Sequence, residues 1–120
     1  DTPVREIKIR SYITFPQHNM KLNSEIVRLS GFALSGRSPI ELVEISVDGG
    51  KVWKAADLVG PSYKHSWQQW HFMWAPSRTG HHTILSKARD KEGNVQPLKS
   101  EWNQLGYAVN GCKAFCVEVV

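Results

Sequence analysis

Residues 44–56 read EISVDGGKVWKAA, and this stretch decides the fold class of the chain. Apolar and polar residues alternate through 43–47, a period of two that is typical of a half-buried strand with valine and isoleucine facing the core. The alternation stops at Asp48-Gly49-Gly50, residue types that tolerate the positive φ angles of a tight hairpin. The pattern therefore predicts a β-hairpin with a return strand at 51–55, in which the large side chain of Trp53 closes one end of the core.

The same alternation fills most of the remaining chain, and no long segment has the period of a helix. Turn residues separate the alternating segments at intervals of roughly 8–15 residues. Polar stretches at 16–24 and 57–65 are predicted to be loops. The predicted strands cover residues 5–14, 26–34, 42–47, 51–55, 67–74, 82–89 and 115–119. About seven strands at this spacing predict an all-β fold, an antiparallel β-sandwich.

Two of the predicted strands carry further information about packing. In 67–74, Trp70, Phe72 and Trp74 share one face, so they are predicted to be buried. Trp67 is out of phase with these three residues and is predicted to be exposed. In the strand 26–34, Gly31 marks either a bulge or a close approach of another part of the backbone.

Length and charge limit the classes of function. The chain has 120 residues, and we treat 1–120 as a single domain. The formal net charge is +4, but the 15 Lys and Arg are scattered along the sequence, which indicates a solvated basic surface. No stretch approaches the ~20 apolar residues of a membrane span. We therefore expect neither nucleic acid nor a membrane as a partner. The chain starts at Asp1 without an initiator Met, which favours a processed chain or a fragment.

The residue types that carry catalysis form no recognisable constellation. The adjacent pair His81-His82 lies on a predicted strand, where neighbours point to opposite faces. His71 on an outer face could join one of them, but solvated histidines are the simpler interpretation. Asp48, Asp57 and Asp90 all lie beside turns, where turn formation explains them. We therefore predict no catalytic residue and no metal site in this chain.

The two cysteines are too far apart to pair with each other if their strand is real. Cys112 and Cys116 are four residues apart, about 13 Å at ~3.3 Å per residue. That separation exceeds the span of a disulfide. We expect free thiols, with a disulfide to a partner chain or a thiol that faces an interface as the alternatives.

Several motifs resemble a single family, in the same order and spacing over roughly residues 5–119. They are GFALSG at 31–36, VEISVDGGKVW at 43–53, the spaced pair Trp67 and Trp70, KARD at 87–90, GNVQP at 93–97 and WNQLGYAVN at 102–110. Together they resemble the C-terminal dimerisation domain of the sulfite oxidase family of molybdenum enzymes, which also includes assimilatory nitrate reductase. The matching motif positions are Gly31, Asp48, Gly49, Gly50, Trp53, Asp90, Gln96, Pro97, Trp102, Asn103, Gly106 and Asn110.

The resemblance implies an immunoglobulin-like sandwich that mediates homodimer contact. It also implies a molybdopterin-binding domain as a second partner, because in this family the molybdopterin cofactor and its cysteine ligand belong to a separate, preceding domain. This chain is then expected to hold no cofactor itself, as a fragment or accessory chain of a molybdenum-dependent oxidoreductase. A second hypothesis is a stand-alone immunoglobulin-like module that binds carbohydrate or a protein partner through Trp67, Tyr63 and Lys64.

One position departs from the pattern of the sulfite-oxidising members. Their motif has arginine where this chain has Leu105, and that arginine reaches the anion pocket of the catalytic domain. A guanidinium binds an oxyanion through two parallel hydrogen bonds, and leucine cannot donate any. The resemblance therefore predicts that the anion-binding contribution is lost or comes from another residue. Bacterial members of the family are often periplasmic, so a periplasmic or secreted location is expected.

Overall fold

The computed structural model describes residues 9–23, 25–36, 38–60, 67–96 and 115–120. These residues form two packed sheets, with strand orders β1-β3-β7-β6 and β2-β9-β8-β4-β5. All strand pairs described are antiparallel except β2 with β9, which is parallel. The strands are β1 Arg10–Phe15, β2 Lys21–Leu22, β3 Val27–Leu34, β4 Ile40–Ser46, β5 Lys54–Ala55, β6 Asp57–Val59, β7 Gln68–Trp74, β8 Gly80–Asp90 and β9 Phe115–Val119. The predicted immunoglobulin-like all-β sandwich is confirmed.

The described part of the chain contains nine strands, two more than predicted. β2 and β6 lie in the stretches 16–24 and 57–65, which were predicted to be loops, and that prediction was wrong at both places. Lys21 pairs with Glu118 of β9, and Asp57 pairs with His71 of β7. Strands of two or three residues are too short to show a period, so only their partners define them.

The core lies between the two sheets and follows the predicted alternation. In β4, Val43 and Ile45 are almost completely buried, and in β7 Trp70 is 1% exposed. In β1, Ile13 faces the core while Tyr12 points outward. The largest contributors to the buried cluster are Leu29, Val43, Ile45, Trp70, Trp74, Ile84 and Val117. Burying a side chain of this kind stabilises the fold by about 1.5–3 kcal/mol.

At both lateral edges of the sandwich, one short segment passes from one sheet to the other. Residues 16–20 connect edge strand β1 to edge strand β2. On the opposite side, Ala56 alone separates edge strand β5 from edge strand β6. Ala56 is buried, and its N–H donates to the carbonyl of Val43 at 2.7 Å. The chain thus joins the two sheets covalently along each edge.

The two ends of the sandwich differ in what they contain. At the end that we call the Asp90 end, Ile40 pairs with Asp90 and β1 begins at Arg10. The opposite end, which we call the hairpin end, contains the loop 47–53 and the connection 75–79. The described chain therefore enters the sandwich at the Asp90 end, away from the hairpin loop.

Candidate functional site

A group of three aromatic rings lies on the outer face of the four-stranded sheet, with Tyr12 and Trp67 exposed and Phe32 half-buried. Tyr12 of β1 is paired with Phe32 of β3, and Trp67 immediately precedes β7. The Trp67 ring centroid is 5.8 Å from that of Tyr12 in a tilted arrangement and 5.9 Å from that of Phe32 in an edge-to-face arrangement. Trp67 is 54% exposed, as predicted from its phase. With Thr14 the rings form an open apolar hollow of about 480 Å³. We call Tyr12, Phe32 and Trp67 the aromatic cluster.

A polar strip adjoins the aromatic cluster on the same face. His71 Nε2 lies 3.4 Å from Asp57 Oδ2, and Arg28 Nη2 lies 3.5 Å from His71 Nδ1. Asp57 was predicted to form a turn, and this was wrong, because it is a strand residue of β6 beside His71. An apolar centre with a polar border is the usual composition of a protein–protein contact.

Gly31 supports the sheet beneath the aromatic cluster. A Cβ atom at this position would lie 1.8 Å from the carbonyl oxygen of Tyr12 and 2.6 Å from Cζ2 of Trp70. Trp70 is paired directly opposite Gly31 and packs its indole over the glycine. The close approach predicted for Gly31 is therefore confirmed, whereas the irregularity in register falls in β1, between Ile13 and Phe15. Only glycine allows the buried indole and the backbone of β1 to approach this closely.

Asp48 organises the loop 47–53 at the hairpin end. Its Oδ1 accepts the backbone N–H groups of Lys51 and Val52, each at 3.0 Å, and the hydroxyl of Ser46 at 2.8 Å. The hydrogen bond from the Val52 amide is the largest cause that holds the pKa of Asp48 below its ordinary value, followed by the Ser46 hydroxyl. The turn-forming role predicted for Asp48 is confirmed.

The return strand after this loop is shorter than predicted. Gly49 and Gly50 have φ angles of 78° and 98°, which only glycine adopts easily. The Gly50 amide donates to Ser46 Oγ at 2.8 Å. Because amides of the loop bond to side chains, pairing resumes only at Lys54–Ala55, and the predicted strand over 51–55 was too long.

Trp53 lies on the outer face of the five-stranded sheet. Its Nε1 donates to the carbonyl oxygen of Gly50 at 3.1 Å, and Lys87 Nζ lies 4.2 Å from the ring centroid. Lys87 in turn is paired with Glu44, with 3.9 Å between Nζ and Oε1. The prediction that Trp53 closes one end of the core was wrong. Because pairing resumes only at Lys54, strand alternation does not fix the direction of Trp53, and its ring covers the sheet from outside.

At the opposite end, the buried Asp90 holds a second turn. Its Oδ1 accepts the amides of Glu92 and Asn94, both at 3.0 Å, and its Oδ2 accepts the Ser35 hydroxyl at 2.8 Å and the Asn94 side chain at 3.0 Å. Burial acts to raise the pKa of Asp90, but the hydrogen bonds from Asn94, Ser35 and Glu92 outweigh it and lower that pKa. Asp90 is therefore an ionised structural carboxylate.

Gln96 belongs to a buried polar network beside this turn. Its Oε1 accepts the Ser11 hydroxyl at 2.8 Å and the Ala88 amide at 3.3 Å. Ser11 also contacts Ser86 at 2.7 Å between hydroxyl oxygens, which joins the two sheets across the core. Every group of this network has a hydrogen-bond partner, as buried polar groups require. Gln96 thus has a structural environment, with no solvent-facing group for chemistry.

Part of the predicted site lies outside the described residues. This applies to Pro97, Trp102, Asn103, Leu105, Gly106 and Asn110 of the motif series, and to Tyr63, Lys64 and Cys112. Of the residues predicted for a carbohydrate site, only Trp67 is described, and within the described residues its ring contacts Tyr12 and Phe32 of the cluster.

The histidines of the described residues do not converge. His71 is on β7, whereas the pair His81-His82 is on β8 of the other sheet, so the arrangement considered for metal binding does not form. Among the residues that the structure describes, no three His, Cys, Asp or Glu side chains lie together as a metal site. Cys116 is a half-buried free thiol, with Thr83 Oγ1 at 4.0 Å from its sulfur. Within the same residues, no helix has the length and apolar character to cross a membrane.

Sequence comparison places this sandwich among contact modules of molybdenum enzymes. The model of the family described as "Mo-co oxidoreductase dimerisation domain" matches residues 1–117. Mitochondrial sulfite oxidase of Mus musculus is 35% identical over 98% of this chain and 23% of that protein. The NADH nitrate reductase 1 of Phaseolus vulgaris is 29% identical over 91% of this chain and 14% of that protein.

A solved structure agrees with the sequence comparison. The sulfane dehydrogenase SoxCD from Paracoccus pantotrophus superposes with a TM-score of 0.77 at 25% identity, over 91% of this chain and 30% of that one. The chain belongs to the Mo-co oxidoreductase dimerisation domain family. It spans less than a quarter of the length of the sulfite oxidases that it matches. Nothing in these comparisons supports the carbohydrate-binding hypothesis.

Proposed function

We propose that this chain is a non-catalytic dimerisation module of a sulfite oxidase-like molybdenum oxidoreductase, and that the aromatic cluster is its contact with a second copy. The observation that carries the proposal is the outward-facing group of Tyr12, Phe32 and Trp67, in which Tyr12 and Trp67 are exposed and Phe32 is half-buried. Large exposed aromatic groups on a soluble domain typically mark an interaction surface.

The physical argument is that two such faces bury each other's rings. In a two-fold symmetric contact the same patch occurs on both subunits, so Trp67 of one copy meets the apolar hollow of the other. Tryptophan and tyrosine dominate the energetics of many interfaces, because they bury a large area and lose little side-chain entropy. The polar strip of Asp57, His71 and Arg28 borders the contact and favours one register.

The experiment is sedimentation equilibrium with the double variant Phe32→Ser/Trp67→Ser. We expect the dimer dissociation constant to rise at least about 100-fold, because two central aromatic residues are lost. Val52→Ser is the matched control, since Val52 is equally exposed at 54% but lies on the hairpin loop. If the dimer dissociation constant of the double variant is unchanged, the contact between the copies lies on another surface. A parent enzyme that stays monomeric would refute the dimerisation function itself.

The second partner in this proposal is a molybdopterin-binding domain of the same enzyme. In this proposal molybdopterin chemistry belongs to that domain, as it does in the family that the sequence motifs resemble. Dimerisation and cofactor binding can be measured separately. We expect the Phe32→Ser/Trp67→Ser enzyme to keep its molybdenum content while its sedimentation coefficient falls. Loss of molybdenum in step with dissociation would instead indicate that this domain helps to hold the cofactor.

The substrate of the parent enzyme is proposed from position 105. Leucine at Leu105 supplies no hydrogen bond to an oxyanion, so the pocket differs from that of sulfite-oxidising relatives or takes another substrate. In the parent enzyme, Leu105→Arg is expected to lower the KM for sulfite roughly tenfold, and Leu105→Met serves as the uncharged control. Equal kinetics of the two variants would mean that position 105 does not reach the pocket.

We also propose a periplasmic or secreted location for the parent enzyme. The support is the resemblance to bacterial members of the family, which are often exported. Fractionation of cells that express the complete gene product tests this proposal. Recovery of the enzyme with cytoplasmic markers would contradict it.

A further inference from the structure

An open cleft of about 660 Å³ lies at the hairpin end, between the loop 47–53 and the connection 75–79. It shares no lining residue with the hollow at the aromatic cluster. The motif residues Asp48 and Gly49 line it, but their role in forming the turn does not account for the cleft, and neither does dimerisation. The basic side chains that line it are Lys51, Lys54, Arg78, His81 and His82.

Among the residues that the structure describes, no ion pair neutralises the positive charge of this cleft. Of the described residues that line it, Asp48 alone carries a carboxylate, and its Oδ1 accepts hydrogen bonds from two loop amides and the Ser46 hydroxyl. Lys51, Lys54 and Arg78 carry three positive charges and Asp48 carries one negative charge. The net charge of the lining is therefore +2 when both histidines are counted as neutral. The ion pairs among the described residues are His71–Asp57, Lys87–Glu44 and Arg89–Glu41, and none of them lies in the cleft. A concave site lined by one sign of charge attracts counter-charged ligands.

Lys54 extends this charge into the gap between the sheets. It is paired with Ile45, so the two side chains share the core-facing side of the strands. An inward-pointing lysine on an edge strand such as β5 can also protect that edge from pairing with another chain. Edge protection does not explain Arg78, which lies in the connection 75–79, outside any strand. The cations thus converge on the cleft from separate elements.

The floor of the cleft is apolar and aromatic. Trp74 lines it and is almost fully buried, and His82 packs edge-to-face on the Trp74 ring at 5.0 Å between centroids. His82 Nε2 lies 3.1 Å from the carbonyl oxygen of Arg78, which can only accept, so this nitrogen carries the proton. An adjoining cleft of about 450 Å³ shares Trp74 and Lys54 and adds Phe72 and Met73.

We propose that the hairpin end binds a small organic anion. Its anionic head lies between Lys51, Lys54 and Arg78, and its apolar body packs against Trp74 and Phe72. The volume falls within the range of about 300–1,000 Å³ that is usual for small-molecule sites. A charged rim over an aromatic floor disfavours two other ligand classes. Neutral apolar molecules gain nothing from the lysines, and bare inorganic anions leave the floor uncovered. The proposal is independent of dimerisation.

The test is a titration of the ¹⁵N-labelled 120-residue chain, followed by amide chemical shifts. The probes are naphthalene-1-sulfonate, inorganic sulfate and the neutral analogue 1-naphthalenemethanol. We expect naphthalene-1-sulfonate to shift the amides of Gly49, Ala75 and Thr83, with at least roughly tenfold higher affinity than either of the other two probes. Shifts centred on Tyr12 and Trp67, or equal affinity for the neutral analogue, would overturn the proposal.

The matched variants separate the cleft from general surface charge. Lys54→Gln/Arg78→Gln is expected to weaken naphthalene-1-sulfonate binding roughly tenfold. Lys21→Gln/Lys91→Gln removes the same charge from exposed positions outside the cleft and is expected to change binding less than about twofold. Equal weakening in both pairs would mean non-specific attraction. If the Lys54→Gln/Arg78→Gln chain aggregates but still binds naphthalene-1-sulfonate equally well, Lys54 serves only to protect the edge strand. That result would overturn the proposed binding site.

Discussion

The turn at Asp90 and the loop at Asp48 use the same local chemistry in different surroundings. In both, a carboxylate accepts backbone amides two to four residues further along the chain. Asp90 is fully buried and also bonds Ser35, which connects the turn to the end of β3. Asp48 is exposed, and the hydrogen bonds described for its side chain come from its own loop and from Ser46, the adjoining last residue of β4. The comparison teaches that an aspartate before a glycine predicts a turn, whereas burial decides how much of the fold depends on it.

The largest effect is expected from Asp90→Asn. The variant replaces one acceptor oxygen by an NH₂ group that faces N–H and O–H donors, so buried hydrogen bonds are lost without compensation. We expect the free energy of unfolding to fall by about 3 kcal/mol. Urea unfolding measures it. If the free energy of unfolding falls as little as in a typical surface variant, burial of Asp90 does not make the fold depend on this turn.

The pH dependence of stability gives the second test. The folded pKa of Asp90 is lowered from its ordinary 3.8, so its stabilising contribution is complete above that value and is lost as the pH falls below it. Asp90→Asn has no such titration. The difference in stability between the two proteins is therefore expected to narrow between neutral pH and pH values well below 3.8. A constant difference would show that Asp90 contributes by packing and not by charge.

A smaller effect is expected from Asp48→Asn. The amide oxygen of the variant can still accept the Lys51 and Val52 amides, and the position is open to water. We expect roughly a third of the decrease in Tm that Asp90→Asn causes, together with faster proteolysis within the loop 47–53. Differential scanning calorimetry and limited proteolysis measure the two. If Asp48→Asn and Asp90→Asn lower Tm by the same amount, burial does not determine how strongly each turn stabilises the fold.

The smallest effect is expected from Lys87→Met, which tests how Trp53 holds the hairpin end from outside. The variant keeps a long apolar side chain under the indole and removes only the cation, 4.2 Å from the ring centroid. We expect a loss of about 0.5 kcal/mol in the free energy of unfolding. Glu44→Gln is the control, because it removes the ion pair with Lys87 and leaves the ring contact. If both variants behave alike, the ion pair and not the indole anchors Lys87.

Sequence alternation predicted the long strands well, because their period persists over several residues. In β7 it placed Trp70 and Trp74 in the core and Trp67 outside. It could not find β2 or β6, which are too short to show a period. The alternation misplaced Trp53. Hydrogen bonds within the loop shorten the return strand, so Trp53 lies outside it and the strand period does not determine which way its side chain points.

The aromatic cluster was only partly visible in the sequence. Phe32 is apolar at a position whose neighbours Gly31 and Ala33 face inward, and Tyr12 is in the same situation beside Ile13. These outward-pointing aromatic residues were the available signal. That Tyr12, Phe32 and Trp67 meet depends on the register between three strands distant in the sequence, which no local pattern encodes.

The covalent crossings at both edges of the sandwich have a mechanical consequence. Sliding one sheet over the other would strain the five-residue link 16–20 on one side and the single residue Ala56 on the other. Each edge strand leads directly into an edge strand of the other sheet. To exchange an edge strand with a second molecule, the chain would therefore have to detach edge strands from both sheets at the same time. Two copies of this sandwich are therefore expected to associate as intact, rigid bodies, without swapping strands.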